Sequence, residues 1–133
     1  MSTNRSDYQK LAAFRYALRR FLRFSEEAAA EVGLTPQQHQ ALLAIEGFPE
    51  RNYASIRELA ERLQLAHHSV VGLLDRLETA GLVTRTASPN DRRIVHIRVS
   101  ARGQRVLRSL TRAHKTQLCQ LGPEIIQALE GLK

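Results

Sequence analysis

The stretch SIRELAERLQLAHHSVVGLLDRLETAGLVTR, residues 55–85, decides the fold class. Ser55 and Glu58 have the spacing of a capping box, in which each side chain accepts a hydrogen bond from the other residue's amide at a helix start. From this start, and again over about residues 67–80, apolar side chains recur at helical spacing: Ile56, Leu59, Ala60, Leu63, Val70, Leu73, Leu74 and Leu77. Gly81 is suited to end the second helix. Two short helices joined by about three residues predict a helix-turn-helix.

A β-hairpin is predicted directly after these helices, and the stretch SPNDRRIVHIRVS, residues 88–100, forms its second half. Leu82–Thr86 and residues 94–99 have the composition of strands, and residues 87–93 connect them. The side chains of the second strand alternate between two faces, with Val95, Ile97 and Val99 on one and Ile94, His96 and Arg98 on the other. Two strands after a helix-turn-helix predict a winged variant, with the wing over about residues 82–99.

Amphipathic helices are expected on both sides of this lobe. Residues 8–32 should form one long helix with a heptad-like stripe of Leu11, Phe14, Leu18, Phe21, Ser25, Ala28 and Val32. The stretch TPQQ, residues 35–38, predicts a new capped helix, which Gly47 and Pro49 should end. Ser100–Gly103 begins another long helix, which we expect Gly122–Pro123 to break. A last short helix would then carry Ile125, Ile126, Leu129 and Leu132.

The apolar faces of the flanking helices require a partner surface, because they are too extensive for isolated helices. We therefore expect a mainly α fold with a small β-hairpin wing, that is, a winged helix-turn-helix with N- and C-terminal dimerisation helices. The expected division is residues 1–34 for the N-terminal dimerisation helix, 35–100 for the winged lobe and 101–133 for the C-terminal helices, in one intertwined domain.

The positive charge of the chain is concentrated in its middle. The net charge is +7, and residues 51–115 hold thirteen Lys and Arg against five Asp and Glu. The single cysteine excludes an internal disulfide, no apolar run reaches the roughly 18 residues that span a bilayer, and the N-terminus lacks the apolar core of a signal peptide. We therefore expect a cytoplasmic protein that does not bind membranes. The sequence shows no Ser/His/Asp set, Gly-rich phosphate loop or pair of catalytic carboxylates, so we expect neither an enzyme nor a cofactor.

Together these segments resemble the MarR (multiple antibiotic resistance) regulators of bacteria over about residues 8–132. The resemblance is carried by LTPQQHQALLAI, SIRELAERLQL, HHSVVGLLDRLETAGLVTR and NDRRIVHIRVSARG, the last of which holds the family's Asp-x-Arg at Asp91–Arg93. It implies a homodimer, with N- and C-terminal helices in its interface, that binds pseudo-palindromic double-stranded DNA. It also implies a ligand-responsive repressor with an aromatic or phenolic effector in a cleft between interface and DNA-binding lobe. By family position Tyr16 and His39 line this cleft, with a core or surface role as an equal alternative.

The wing tip and the start of the second helix-turn-helix helix supply the candidate DNA contacts. Asp91 and Arg93 are close enough for an ion pair that orients the guanidinium, and the tip, which includes Arg92, is placed to enter the minor groove. The short polar side chains at the helix start can reach base edges or phosphates, and they are His67, His68 and Ser69. Further arginines are candidates either for phosphate contacts or for ion pairs that hold the wing, and the sequence leaves this open for Arg57, Arg62, Arg76, Arg85 and Arg98.

Other roles are open to the same residues. Tip arginines are often only solvated surface charge. His67 and His68 do not suit zinc, because adjacent helical side chains diverge by about 100°, so we expect no metal. Cys119 is expected to be a small buried hydrophobe. Gly72, and Ala66 in place of a hydroxyl-bearing cap, reduce the groups that could contact bases, which keeps open a winged-helix protein-interaction module that has lost DNA readout. A membrane-surface protein is disfavoured because the cations are spread over several capped elements.

Overall fold

Five helices and three short strands make up residues 3–132, the part of the chain that this computed structural model describes. The helices are α1 (Arg5–Glu31), α2 (Pro36–Glu46), α3 (Ile56–Leu63), α4 (His67–Thr79) and α5 (Ala101–Glu130). The strands are β1 (Tyr53–Ala54), β2 (Val83–Ala87) and β3 (Val95–Val99). The expected class, mainly α with a small β wing, is confirmed. Residues 1, 2 and 133 of the expected terminal segments lie outside the described residues. Among the described residues, no helix is long and apolar enough to cross a membrane.

Capping side chains begin the central helices where the sequence predicts them. The boxes Thr35–Gln38 and Ser55–Glu58 both form, with hydroxyl-to-amide distances of 3.1 and 3.2 Å. The Ser100 hydroxyl accepts a hydrogen bond from the amide of Gly103 at 3.0 Å and starts α5. Each of these bonds satisfies an amide that has no partner within its helix.

Both long helices extend further than the sequence pattern predicts. Asn4 and Asp7 form a capping box that starts α1 before the expected residue 8. α5 is a single helix that includes Pro123, so the expected break at Gly122–Pro123 and the separate last helix are wrong. Pro123 removes one intrahelical hydrogen bond. The buried Leu121 and Ala128 on both sides of it keep α5 packed along α1, and this packing outweighs the loss.

The outer side of α5 carries Cys119, for which the expectation of burial is wrong. The thiol is exposed, and so are its neighbours Leu118 and Gln120. The reason is the rotation of the helix, since α1 covers the face that bears Leu121 instead. Cys119 therefore makes no contribution to the core of the single chain.

The core lies between α2, α3, α4 and the inner face of the sheet. Its fully buried large side chains are Leu42, Ile45, Leu59, Val70, Leu73, Leu74, Leu77 and Ile97. All four side chains of the apolar stripe predicted for α4 are thus buried. Burial of such a stripe is the main contribution to the stability of a short helix. α4 depends on this packing in particular, because Ala66 at its N-cap makes no side-chain hydrogen bond.

The wing belongs to a three-stranded antiparallel sheet with the strand order β1-β3-β2. β2 pairs with β3 along its full length. The predicted faces of β3 are confirmed, since Ile97 and Val99 are buried and Arg98 is exposed. The sequence reasoning missed β1, which pairs Tyr53 with Arg98 and Ala54 with Ile97 on the other edge of β3.

Gly103 marks the closest approach of α5 to the sheet. A Cβ atom there would overlap the carbonyl oxygen of Leu82 and would lie 2.7 Å from Cγ1 of Val99. We expect Gly103→Ala to lower the free energy of unfolding by about 1–3 kcal/mol, the usual effect of overpacking. The control is Gly122→Ala in the same helix, where a Cβ meets nothing within 4 Å and stability should rise by up to about 1 kcal/mol. Denaturant unfolding measures both, and equal stabilities of the two variants would contradict the close approach.

Candidate nucleic-acid interface

Three elements meet around one groove of about 310 Å³ at the edge of the lobe, here called the α3–α4–wing groove. Its lining residues are Ser55, Ile56, Arg57, His67, Arg93, Ile94 and Val95. The structure thereby brings together Arg57, His67 and Arg93, which are distant in sequence and all exposed. Two guanidinium groups and an imidazole on one rim form a surface suited to phosphate groups.

The wing tip holds Arg93 in a defined orientation. Its Nε and Nη2 atoms each donate to a carboxylate oxygen of Asp91 at 3.1 Å, and its backbone amide donates to Oδ1 at 3.0 Å. The predicted ion pair is therefore confirmed, while 91% of the Arg93 side chain stays exposed. The side-chain hydrogen bonds from Arg93, together with the bond from its amide, lower the pKa of Asp91. Arg92, next to this pair, is exposed as well.

The first turn of α4 presents His67, His68 and Ser69 to solvent. They surround the helix N-terminus, whose free amides and dipole favour anionic groups. Gly72 leaves the next turn without a side chain, although a Cβ there would meet only Nη1 of Arg76, at 3.5 Å. Arg76 itself lies further along α4, outside the α3–α4–wing groove. Within residues 3–132, no three His, Cys, Asp or Glu side chains cluster so as to hold a metal ion.

The other candidate arginines differ in the partners that they contact. Arg85 of β2 donates to Asp75 at 2.6 Å and lies 3.6 Å from Glu78, both on α4, so it holds the wing against that helix. The guanidinium of Arg98 lies 4.5 Å from the centre of the Tyr53 ring, on the outer face of the sheet. In the part of the chain that the structure describes, no ion pair is formed by Arg57, Arg62 or Arg76.

The two predicted effector-binding residues lie in different surroundings. Tyr16 of α1 is 60% exposed and lines a groove between α1 and the end of α5 that does not include His39. His39 of α2 is buried, and its ring lies against that of His114 on α5. The structure therefore does not bring Tyr16 and His39 together in one cleft.

A larger groove, of about 460 Å³, runs between α2 and α5 and was missed by the sequence reasoning. Its lining residues are Glu46, Gln104, Leu107, Arg108, Thr111, Arg112 and Lys115. The available signal is the basic face of α5, which is visible in the sequence as regularly spaced arginines. The wall formed by α2 could not be found from the sequence. Glu46 of α2 contacts Gln104 of α5 at 3.4 Å, and these residues lie in distant segments of the chain.

The sequence model of the MarR family matches residues 32–94, from the end of α1 to the wing tip. The chain is also 39% identical over 101 residues to YcgE of Bacillus subtilis, an uncharacterized HTH-type transcriptional regulator, over 73% of this chain and 64% of YcgE. Over the winged lobe, the sequence of the chain is therefore similar to that of MarR-family regulators. It spans between 48% and 64% of the length of the curated relatives it matches.

Solved structures of MarR proteins share this fold. A MarR family protein from Bacillus stearothermophilus gives a TM-score of 0.78 at 23% identity, over 90% of this chain and 82% of that chain. A cysteine-to-serine mutant of MarR from E. coli, in complex with operator DNA, gives 0.70 at 22% identity, over 89% of this chain and 86% of that chain. The winged helix-turn-helix carried by two long helices is therefore the MarR fold.

The ion pair at the wing tip is expected to resist mild acid. Because the pKa of Asp91 is lowered, its carboxylate stays charged at neutral and mildly acid pH, and the contact is lost only as the pH falls through that lowered value. We expect Arg93→Gln to raise the Asp91 pKa toward its ordinary value of about 3.9. Carbon-detected NMR titration of the carboxyl group measures both proteins, and identical midpoints would contradict the ion pair in solution.

Proposed function

We propose that this chain is a MarR-family transcription regulator that binds double-stranded operator DNA through the α3–α4–wing groove. The observation that carries the proposal is the oriented, 91% exposed Arg93 side chain on the same groove as His67 and Arg57. An arginine at a wing tip suits the narrow minor groove, and the polar start of α4 suits base edges in the major groove. The operator complex of E. coli MarR supports operator DNA as the partner.

The charge distribution favours the same surface. Residues 51–115 carry most of the excess of Lys and Arg. Two acids of this region, Asp75 and Glu78, lie on α4, but Arg85 pairs with both, and Asp91 at the wing tip is paired with Arg93. The acids near the groove are thus offset by guanidinium groups, and the surface that remains attracts phosphate.

A homodimer is part of the proposal, because α1 and α5 leave aliphatic side chains uncovered in the single chain. Those that are at least 41% exposed are Leu11, Leu22, Leu118, Ile126 and Leu129. Such a surface on two helices that already pack together fits a second copy of the chain. A two-fold dimer would present two α4 helices to half-sites about 34–36 Å apart, which requires a pseudo-palindromic operator.

Repression relieved by a small molecule completes the proposal. The groove between α2 and α5 lies where the winged lobe meets the long helices. Arg108, Arg112 and Lys115 on its rim and Leu107 in its lining suit an aromatic or phenolic effector with an acidic group. A ligand bound in this groove would favour one angle between the winged lobe and the long helices. This angle sets the distance between the two α4 helices of a dimer, and a distance that no longer fits the operator half-sites releases the repressor. Such a regulator would act in the bacterial cytoplasm.

Gly72 favours a second candidate, a winged-helix protein-interaction module that has lost DNA readout. This position offers no side chain to bases, and Ala66 adds no capping hydroxyl to the start of α4. Gel shifts with fragments of genomic DNA separate the two candidates. A fragment retained against excess competitor DNA supports the regulator, and no shift at low salt supports the interaction module.

Substitution of the tip arginine tests the DNA interface. Arg93→Ala removes one charge-assisted contact per subunit, worth on the order of 1–3 kcal/mol each, so a dimer should lose about 2–6 kcal/mol of operator affinity. Asp91→Ala should cost less, because it frees the guanidinium without removing it. Arg23→Ala on α1 is the matched control, since it deletes an exposed arginine outside the groove. Fluorescence anisotropy with a selected duplex, alongside thermal melts, provides the measurement. Wild-type affinity of a fully folded Arg93→Ala protein would refute the role of the wing.

Light scattering at micromolar concentration tests the dimer. We expect about twice the 15.0 kDa chain mass. Leu118→Glu should shift the protein toward monomer, because it buries a charge in the proposed interface. Gln120→Glu adds the same charge at an exposed polar position of α5 and should leave the dimer intact. A wild-type mass of one chain would exclude the proposed architecture.

A further inference from the structure

Two histidine rings lie against each other where α1, α2 and α5 meet. His39 of α2 is only 3% exposed, and its ring centre lies 4.9 Å from that of His114 on α5. Phe21 and Phe24 of α1 contact the His114 ring edge-on, with centre distances of 5.8 and 5.3 Å. The two imidazole rings are thus enclosed where the winged lobe meets the long helices α1 and α5. The first helix of this lobe is α2.

Both ring nitrogens of His114 have hydrogen-bond partners. Its Nδ1 lies 2.6 Å from the carbonyl oxygen of Leu110, which can only accept, so Nδ1 carries the proton. Its Nε2 lies 2.8 Å from the Ser25 hydroxyl and can accept that hydroxyl's proton. The ring of His114 is therefore held in place by α5 and α1 without a charged partner.

His39 has no comparable partners. Its Nδ1 is buried without a hydrogen bond to any described residue. A neutral ring tolerates an unpaired nitrogen far better than a cation does. Burial, and secondly the neighbouring His114, lower the pKa of His39. The surroundings of His39 therefore require a neutral ring.

No carboxylate of the described residues compensates a charge on this pair. From α5 the titratable group that faces His39 is His114. From α1 the groups around His114 are uncharged, namely Ser25, Phe21 and Phe24. The acid of α2 itself, Glu46, lies two turns further along the helix and contacts Gln104. Protonation of His39 would thus leave an unpaired cation in the core.

We propose that the contact between His39 and His114 is a proton-sensitive switch that sets the position of the winged lobe against the long helices, so that acidification weakens operator binding. The proposal rests on the proposed function for its effect on DNA. With His39 neutral, α2 stays packed against α1 and α5, and the lobes of a dimer keep one spacing. With His39 protonated, the ring must reach water, and α2 separates from the long helices.

The sign of the pH dependence distinguishes this switch from the DNA interface itself. A histidine whose pKa is lowered on folding stabilises the closed contact above its ordinary pKa of 6.5, and the contact is lost as the pH falls below that value. Protonation of the exposed His67 and His68 acts in the opposite direction, because a cation at the start of α4 attracts phosphate. Acidification should therefore weaken operator binding only if protonation of His39 has a larger effect than protonation of His67 and His68.

Operator affinity at constant ionic strength, from about pH 8 to about pH 5.5, tests the switch. For wild type we expect affinity to fall on acidification, by up to about tenfold per pH unit for each subunit of the dimer, since each His39 takes up one proton. His39→Leu keeps His67 and His68, so its affinity should stay constant or rise with acid. Wild-type affinity that does not fall, or an equal fall in His39→Leu, would overturn the proposal.

Two measurements on the free protein keep the test independent of DNA binding and of the variant's folding. NMR titration of the histidine rings should place the midpoint of His39 in wild type below about 6.5, the unperturbed value, and a midpoint at or above that value would overturn the proposal. Thermal melts of wild type should lose stability between about pH 8 and about pH 5.5, more steeply than those of His39→Leu. A protein that binds no duplex at any pH would refute the proposed function, and the titration would still decide the switch.

Discussion

The base of the wing, the end of α4 and the start of α5 meet at one backbone junction, which has no space for a side chain at Gly103. The carbonyl of Leu82, at the base of the wing, accepts from the amide of Ser100 at 2.9 Å. The Ser100 hydroxyl donates to the carbonyl of Gly81 at 2.6 Å, just beyond α4. Gly103 then passes so close to Leu82 that any Cβ would overlap it. The start of α5 is therefore tied to the base of the wing, next to the surface that we propose for DNA.

Two arginines act differently because their carboxylate partners lie in different places. Arg85 forms ion pairs with two acidic residues of α4, so its charge is neutralised within the lobe, and its side chain is only 25% exposed. Arg93 pairs with Asp91 of its own loop, which orients the guanidinium but leaves it in solvent. One pair gives the wing a fixed position on α4, and the other gives its tip an exposed cation. Together they account for a positive groove with a defined shape, which is what DNA binding requires.

The sequence was sufficient for most features whose partners lie within a few residues, although the Asn4–Asp7 capping box at the start of α1 was missed. The other capping boxes, the faces of β3 and the Asp91–Arg93 pair are of this kind. It was insufficient wherever a distant segment decides the outcome. β1 exists only because β3 pairs with it, and α5 passes Pro123 only because α1 packs along it. For the same reason the sequence could not show that Arg85 meets Asp75, that Arg57 joins His67 and Arg93, or that Glu46 and Gln104 border a groove.

The claim that the α3–α4–wing groove binds DNA is tested most directly by hydroxyl-radical footprinting on a duplex selected from a random library. We predict two protected blocks related by a dyad, about one helical turn apart, each with minor-groove protection where a wing tip enters. A single block without symmetry, or protection that leaves the minor groove open to cleavage, would contradict the account.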